Sequence, residues 1–503
     1  MDWMTLKSGT DVRGIAVGEG LTLTEEIAKA LGSAFVRMLS EKKHKASSEI
    51  SVALGRDSRI SGPKLMDAVA EGVSAAGAQA VKFGLCTTPA MYMSTITPGY
   101  EPDGAVMITA SHHPWNRNGL KFFTARGGLI GSEISALLTD AQENAGQSPE
   151  KAGTIIEKPF LPVYMEQLAA RVRKGLGTEE EKPLAGLHVV VDAGNGAGGF
   201  YARLMENLGA DTTGSQFLEP DGYFPNHIPN PENPEAMASL QKAVLHSGAD
   251  LGVIFDADCD RAAVVDADGK EINRNRLIAL ISAILLENQP GQTIVTDSVT
   301  SSGLADFIAE KGGEHYRFKR GYRNVIDEAI RLNSEGRNCP LAIETSGHAA
   351  LRENHFLDDG MYLVTVLIVR AMQMKTKGKT LGSVIADLRE PKESTEIRLS
   401  ITAPDFRSAG QKAIDRVLDK VSADPSWHAA PDNREGVRVS FDLGGSKNAG
   451  WFLLRLSVHD PVLPLNAESD VSGGVRDMLN SLYEVLKPLE GIDIDPLKKA
   501  IGV

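Results

Sequence analysis

Three short stretches of this 503-residue chain combine residue types that could do chemistry. The first is Thr109-Ala110-Ser111-His112-His113-Pro114-Trp115-Asn116-Arg117-Asn118-Gly119-Leu120-Lys121. Ser111 directly follows an apolar run, in a loop stiffened by Pro114, and is well placed as a nucleophile or phosphate carrier; the same residue types also suit a loop serine that caps the next helix. The second stretch is Asp256-Ala257-Asp258-Cys259-Asp260-Arg261. Carboxylates at alternate positions beyond a strand can converge on one hard cation, and three such charges are costly together unless a metal or an arginine compensates. Magnesium suits better than calcium because only three ligands are evident, leaving positions for a phosphate oxygen or water. Zinc is disfavoured without neighbouring His or Cys pairs. An acidic solvated turn is the plainer alternative, and the apolar strands on both sides speak against it. The third stretch is Glu344-Thr345-Ser346-Gly347-His348. Glu344 and Ser346 could hydrogen-bond sugar hydroxyls and His348 could shuttle a proton, although a lone loop histidine is as readily structural. The run Gly194–Gly199 lacks the Lys-Ser/Thr of a P-loop and the dinucleotide spacing, so it reads as tight strand-to-helix packing.

The elements around these stretches repeat one pattern: strand, glycine-containing turn, amphipathic helix. Thr24 can cap a helix that has Glu25 and Glu26 in its first turn and Ile27, Leu31 and Phe35 on one face. Ile50 to Leu54 reads as a strand, and Pro63 suits the first turn of the following helix. A strand over about Ala105 to Thr109 runs into Ser111. Leu187 to Asp192 and Leu251 to Phe255 are strands, the latter ending at Asp256, and Ala262 to Val265 returns before an Asp268-Gly269 turn. Thr293 to Thr296, a helix from about Gly303, and Leu341 to Glu344 form a third unit. This alternation argues for α/β layers with mixed, mainly parallel sheets, with reactive residues just beyond strand ends. From about residue 391 the pattern changes to strand 394–401, helix 409–421, strands 436–441 and 451–456, and helix 475–486, an α+β domain. Residues 144–158 and 388–394 read as linkers. The division predicted is 1–155, 156–272, 273–390 and 391–503.

Composition narrows the function classes. The net charge of −13, without a long basic run, makes a nucleic acid a poor partner, and 6% aromatics leave few stacking surfaces. Cys86, Cys259 and Cys339 are far apart, which fits a reducing compartment better than a disulfide framework or zinc site. No signal peptide and no apolar run of roughly 20 residues is visible, so a cytoplasmic protein without a membrane span is expected.

Taken together, the three stretches resemble one family, the α-D-phosphohexomutases of the phosphoglucomutase and phosphomannomutase superfamily. Gly9-Thr10-Asp11-Val12-Arg13-Gly14 looks like its N-terminal motif. Gly55-Arg56-Asp57-Ser58-Arg59, Phe224-Pro225-Asn226-His227 and Pro229-Asn230-Pro231 look like secondary ones. The serine, aspartate and Glu344–His348 loops occur in the family's order over nearly the whole chain. The resemblance implies four domains around a central cleft, three of them related α/β/α domains, the last an α+β domain gripping a phosphate. It implies a phosphoserine at Ser111 that, with Asp256, Asp258 and Asp260, binds Mg²⁺, and that passes its phosphoryl group to a hexose phosphate through a hexose 1,6-bisphosphate. Lys121, Arg13 and His348 are implied as acid/base or electrostatic partners. Arg261, Glu344, Ser346, Arg455 and Ser457 are implied as substrate contacts, with no separate organic cofactor. A monomer or weak dimer is expected.

The fourth loop departs from the family's Arg-x-Ser-Gly/Asn-Thr-x-Pro. It reads Arg455-Leu456-Ser457-Val458-His459-Asp460-Pro461, without the glycine and with an added negative charge. His113 for Asn, Ala257 and Cys259 for glycines, and Ile343 for the glycine before Glu344 are smaller departures. The altered Arg455–Pro461 loop bears on which hexose phosphate is used, glucose or mannose being expected, and keeps open a weakly catalytic sugar-phosphate-binding protein. The Ser-Gly-His ending of the third stretch keeps open a glucosamine phosphomutase. A phosphatase with Asp256 as nucleophile is a further alternative, one that would survive Ser111→Ala.

Overall fold

The structure, a computed structural model, describes residues 2–146, 152–457 and 460–502. The chain divides into two compact units, Met1–Asn273 with Ser346–Val384, and Arg274–Thr345 with Ile385–Val503.

In the first unit, strands Gly104–Ile108, Ser51–Arg56, Gln79–Leu85 and Ile155–Glu157 run parallel, side by side in that order. Arg117–Thr124 then adds antiparallel to Gly104–Ile108, and Asp11–Ile15 antiparallel to Arg117–Thr124. The first helix, Glu25–Lys43, forms as its sequence dictates: the Thr24 hydroxyl accepts from the Ile27 N–H at 3.3 Å, and Ile27, Leu31 and Phe35 are buried. It crosses the helix Gly62–Ala75 so closely that a Cβ at Gly72 would lie 1.9 Å from the Lys29 carbonyl. Ile155–Glu157 falls inside the stretch read as a linker but is the sheet's edge strand; residues 147–151 of that stretch lie outside the described residues.

A second sheet in the same unit pairs Val189–Asp192 parallel with Leu251–Phe255, which returns antiparallel as Ala262–Asp266. The glycine run 194–199 packs as its spacing predicts. A Cβ at Gly196 would meet Ala257 at 2.8 Å, and one at Gly199 would meet the Leu218 carbonyl at 1.9 Å. Ala197 N–H donates to the Ala257 carbonyl at 2.9 Å, which ties this turn to the aspartate loop. The hairpin Ala349–Leu351 with Leu357–Asp358 leads into the helix Gly360–Lys375, capped by Asp359 on the Tyr362 N–H at 2.8 Å.

In the second unit, Thr293–Thr296 lies between Glu314–Arg317 and Leu341–Ile343, all parallel, with helices Arg274–Asn288, Ser302–Glu310 and Tyr322–Ser334. The C-terminal part of this unit is an antiparallel sheet, ordered Glu393–Ser400, Val462–Ser469, Ser446–Leu454, Val437–Leu443, His428–Ala429. Helices Phe406–Ala423 and Gly474–Leu486 cover it over a core that includes Leu399, Phe452, Leu465 and Leu482. No helix among the described residues is long and apolar enough to cross a membrane, and Cys86, Cys259 and Cys339 are buried and form no disulfide among the described residues.

Candidate active site

Ser111 sits in the hairpin connection between Gly104–Ile108 and Arg117–Thr124, where Met107 pairs with Lys121. A strand follows it, so the helix-capping alternative falls. Its backbone is left-handed at φ 52°, a conformation a non-glycine residue keeps only when its surroundings hold it. Its N–H donates to Thr109 Oγ1 at 2.9 Å, and that hydroxyl donates to Asp57 Oδ2 at 2.7 Å. Its own Oγ donates to Asp256 Oδ2 at 2.8 Å and accepts from Arg261 Nη2 at 3.2 Å.

The aspartate loop joins two antiparallel strands and turns back on itself, with Cys259 N–H donating to the Asp256 carbonyl at 3.2 Å and Cys259 itself at φ 66°. The alternate spacing brings Asp256, Asp258 and Asp260 together, all three buried and with one carboxylate oxygen each within 4.8 Å of the others. Two cations offset them. Lys121 Nζ donates to Asp258 Oδ2 at 2.8 Å and Asp260 Oδ2 at 2.5 Å, and Arg261 donates to Asp256 Oδ2 at 3.1 Å. Thr88 Oγ1 adds a 2.5 Å hydrogen bond to Asp258 Oδ2. Burial, then Asp260 and Asp258, push the Asp256 carboxyl up to about 8. Burial opposes ionisation of Asp260 too, but Lys121, His348 and Arg261 outweigh it and hold that carboxyl below the usual range. Asp258 Oδ1 and Asp260 Oδ1 are buried with no hydrogen-bond partner among the described residues. Orphaned carboxylate oxygens beside a third buried carboxylate are what a hard cation satisfies, so this donor set fits a metal ion.

Around this centre the His112 ring lies with Nδ1 3.3 Å from Ser111 Oγ and 2.5 Å from Arg261 Nη2. Burial, then Arg261 and His113, push its pKa down to about 2, so the ring is neutral and accepts from the guanidinium. Asn230 Oδ1, in the Pro229-Asn230-Pro231 motif, accepts from Arg261 Nη1 at 3.5 Å. His348 pairs through its backbone with Arg261 and through Nδ1 with Asp358. Burial alone would lower its pKa, but Asp358 outweighs burial and raises it to about 9. Arg13, on Asp11–Ile15, donates to Asp11 Oδ2 at 2.8 Å and feels Asp258 and Asp260 electrostatically. Ser346 belongs to the same unit, its Oγ buried and without a hydrogen-bond partner among the described residues.

Of the residues singled out in the sequence, the first unit therefore brings together Ser111, Lys121, Asp256, Asp258, Asp260, Arg261, His348 and Arg13. Glu344, Arg455 and Ser457 lie in the second unit. There Glu344 Oε1 accepts from the Gly321 N–H at 2.6 Å, Arg455 Nη1 stands 3.9 Å from Glu435 Oε1, and Ser457 Oγ accepts from the Asp460 N–H at 3.3 Å. Val458 and His459 lie outside the described residues. Thr88 and Asp358 went unread in the sequence, and His112 was quoted beside Ser111 without a role. The doubled Asp358-Asp359 before the glycine that opens a helix was the one available signal.

Models for the phosphoglucomutase/phosphomannomutase α/β/α domains I, II and III match residues 5–148, 162–269 and 273–391. The chain is 30% identical over 482 residues to a phosphoglucomutase of Neisseria gonorrhoeae, covering 95% of each protein. It is 31% identical over 484 residues to a phosphomannomutase/phosphoglucomutase of Pseudomonas aeruginosa, again covering 95% of each. The crystal structure of a phosphoglucomutase/phosphomannomutase family protein from Burkholderia thailandensis matches at a TM-score of 0.80 and 27% identity, covering 97% of this chain and 98% of that one. A serine held against three convergent aspartates, on three matching domains in family order, leads to one assignment: the chain belongs to the phosphoglucomutase/phosphomannomutase family of phosphotransferase isomerases.

Proposed function

We propose that the chain interconverts hexose 1-phosphate and hexose 6-phosphate, of glucose or mannose, with Ser111 as the phosphoryl carrier. The observation that carries this reading is the 2.8 Å contact between Ser111 Oγ and Asp256, inside a cluster of three buried aspartates. Asp256, Asp258 and Asp260, with an oxygen on Ser111, would hold Mg²⁺, which when bound offsets negative charge on phosphoryl oxygens.

In the forward half-reaction the Oγ–P bond of phosphoserine breaks as a P–O bond to a sugar hydroxyl forms, giving a hexose 1,6-bisphosphate. Net, one proton moves from that hydroxyl to Ser111 Oγ. Arg261, already 3.2 Å from Oγ, stabilises that oxygen as it leaves. We assign His348, oriented by Asp358, as the acid/base group, and Lys121 and Arg13 as cations that stabilise the reacting hydroxyl oxygen. The second half-reaction is the reverse with the sugar's other phosphate, so the sugar must be accepted in two orientations. Glu344 and Ser346 are proposed to bind sugar hydroxyls, and Arg455 and Ser457 the phosphate that stays. We propose that these roles are spread over four domains, 1–155, 156–272, 273–390 and 391–503.

Phosphorus NMR tests the reading. Glucose 1-phosphate with Mg²⁺ and a trace of glucose 1,6-bisphosphate should yield the 6-phosphate signal. Binding without conversion, or release of inorganic phosphate, would contradict it.

A further inference from the structure

Two motifs have no part in the mechanism above: Gly55-Arg56-Asp57-Ser58-Arg59 and Phe224-Pro225-Asn226-His227. They meet at Arg59, one of the largest fully buried side chains among the described residues. A guanidinium has five N–H donors, and here all five are used. Nε donates to Asp57 Oδ2 at 3.1 Å. Nη1 donates to the carbonyls of Pro114 at 2.7 Å and Arg117 at 2.9 Å, and Nη2 to those of Ser111 at 2.5 Å and His113 at 2.6 Å. One cation thus gathers four carbonyls of the serine loop, that of Ser111 included. The Phe224 ring faces the guanidinium carbon at 5.1 Å. Gly222 is pressed onto the same segment, since a Cβ there would lie 2.4 Å from the Ile60 nitrogen and 2.5 Å from the Ser58 carbonyl.

We propose that Arg59 is a positioning residue for the nucleophile: clamped by Asp57 and faced by Phe224, it holds the serine loop around itself and so fixes the left-handed backbone that aims Ser111 Oγ at Asp256. This rests on Ser111 being the phosphoryl carrier. Asp57 serves both sides of Ser111, binding Arg59 through Nε and Thr109 through Oγ1, whose oxygen in turn accepts the Ser111 N–H. Loop carbonyls aligned on one cation cannot tilt independently, so the serine's backbone has a single seat. Lysine, with three donors on one nitrogen, cannot span four carbonyls and a carboxylate set around a planar fork.

The test uses the full-length chain and reads Ser111 phosphorylation by glucose 1,6-bisphosphate with intact-protein mass analysis, beside kcat and KM for glucose 1-phosphate. Arg59→Lys should label Ser111 and turn over about 100-fold more slowly, the scale of a nucleophile displaced by roughly an ångström, with KM changed less than about threefold. Asp57→Asn keeps the guanidinium and its four carbonyls and should lose about tenfold in both rates, a smaller displacement of the same kind. Labelling and kcat at the wild-type rate in either folded variant would overturn the proposal. So would unfolding of both variants as whole chains by circular dichroism, since Arg59 would then be a general core residue. The phosphoserine reading fails separately, and recognisably, if the wild-type chain never labels at Ser111.

Discussion

The chemistry of the first unit turns on how buried charge is balanced. Lys121 touches two of the three aspartates and Arg261 the third, so the carboxylates are balanced by cations of the same unit, Arg261 lying beside Ser111, the proposed phosphoryl carrier. Removing one partner of such a buried network leaves an uncompensated charge. Lys121→Met should therefore destabilise the metal-free protein by roughly 3 kcal/mol, read as a lower urea midpoint. Ser111→Ala removes only the proposed carrier hydroxyl: turnover should fall by roughly 10³-fold or more, as for other covalent nucleophiles, with the melting temperature nearly unchanged. At this scale the sequence was most legible where the chemistry is local. The serine loop and, separately, the three alternate aspartates each occupy one short stretch of chain and could be read from type and spacing. Lys121 and Arg13 needed the family resemblance, whereas His348 could be read from its own loop as a possible proton shuttle. Thr88 was invisible because its partner Asp258 is 170 residues away, and no local pattern records such a meeting.

Elements carry the site by close approach, and that is where their tolerance is smallest. Gly72→Ala would drive a Cβ into the Lys29 carbonyl of the neighbouring helix and strain the Ser33 hydroxyl bond to the Gly72 carbonyl at 2.7 Å. It should cost about 2 kcal/mol, the scale of overpacking, measured by chemical denaturation. In the second unit Glu468 accepts from Trp451 Nε1 at 3.0 Å, while Arg438 lies over the Trp451 ring at 3.5 Å. Burial raises the Glu468 carboxyl to about 7, and Arg438 and Trp451 only partly offset it. The folded state then holds this proton more tightly than the unfolded chain. The contribution to stability is complete below about pH 4.5 and lost as pH rises through about 7. Glu468→Gln should flatten that part of the pH–stability profile, seen as urea midpoints at pH 5 and 8 that lie closer together than in wild type.

Element type was legible where one period dominates, as in Glu25–Lys43 and Leu251–Phe255. Two strands that matter were not. Arg117–Thr124 carries Lys121 but opens with polar residues after a proline loop. Val462–Ser469 contains Pro464, which argues against an interior strand, yet the strand lies between two others and the Pro464 carbonyl accepts from Arg455 N–H at 3.1 Å.

At the scale of the whole molecule, the length pointed to several domains and the change of pattern near residue 391 to a different last one. The antiparallel sheet beginning at Glu393 shows why: alternating strands with few intervening helices cannot build the parallel layers that precede them. The linker stretches were less legible, because Ile155–Glu157 is exposed along its length and carries no alternating burial pattern. All three aspartates lie in the first unit, so binding of Mg²⁺ there should stabilise the folded chain by linkage. At a concentration about 100 times its dissociation constant the gain is about 2.7 kcal/mol, and it should vanish in Asp258→Asn, with thermal melts in the presence and absence of the ion as the measurement.

The central claim is that Ser111 stores the phosphoryl group. Incubation of the wild-type protein with glucose 1,6-bisphosphate and Mg²⁺, followed by intact-mass and peptide analysis, addresses it directly. A gain of one phosphate is expected, confined to the peptide containing Ser111 and removed again when excess glucose 6-phosphate is added. A protein that turns hexose phosphates over while Ser111 stays unmodified throughout would contradict it.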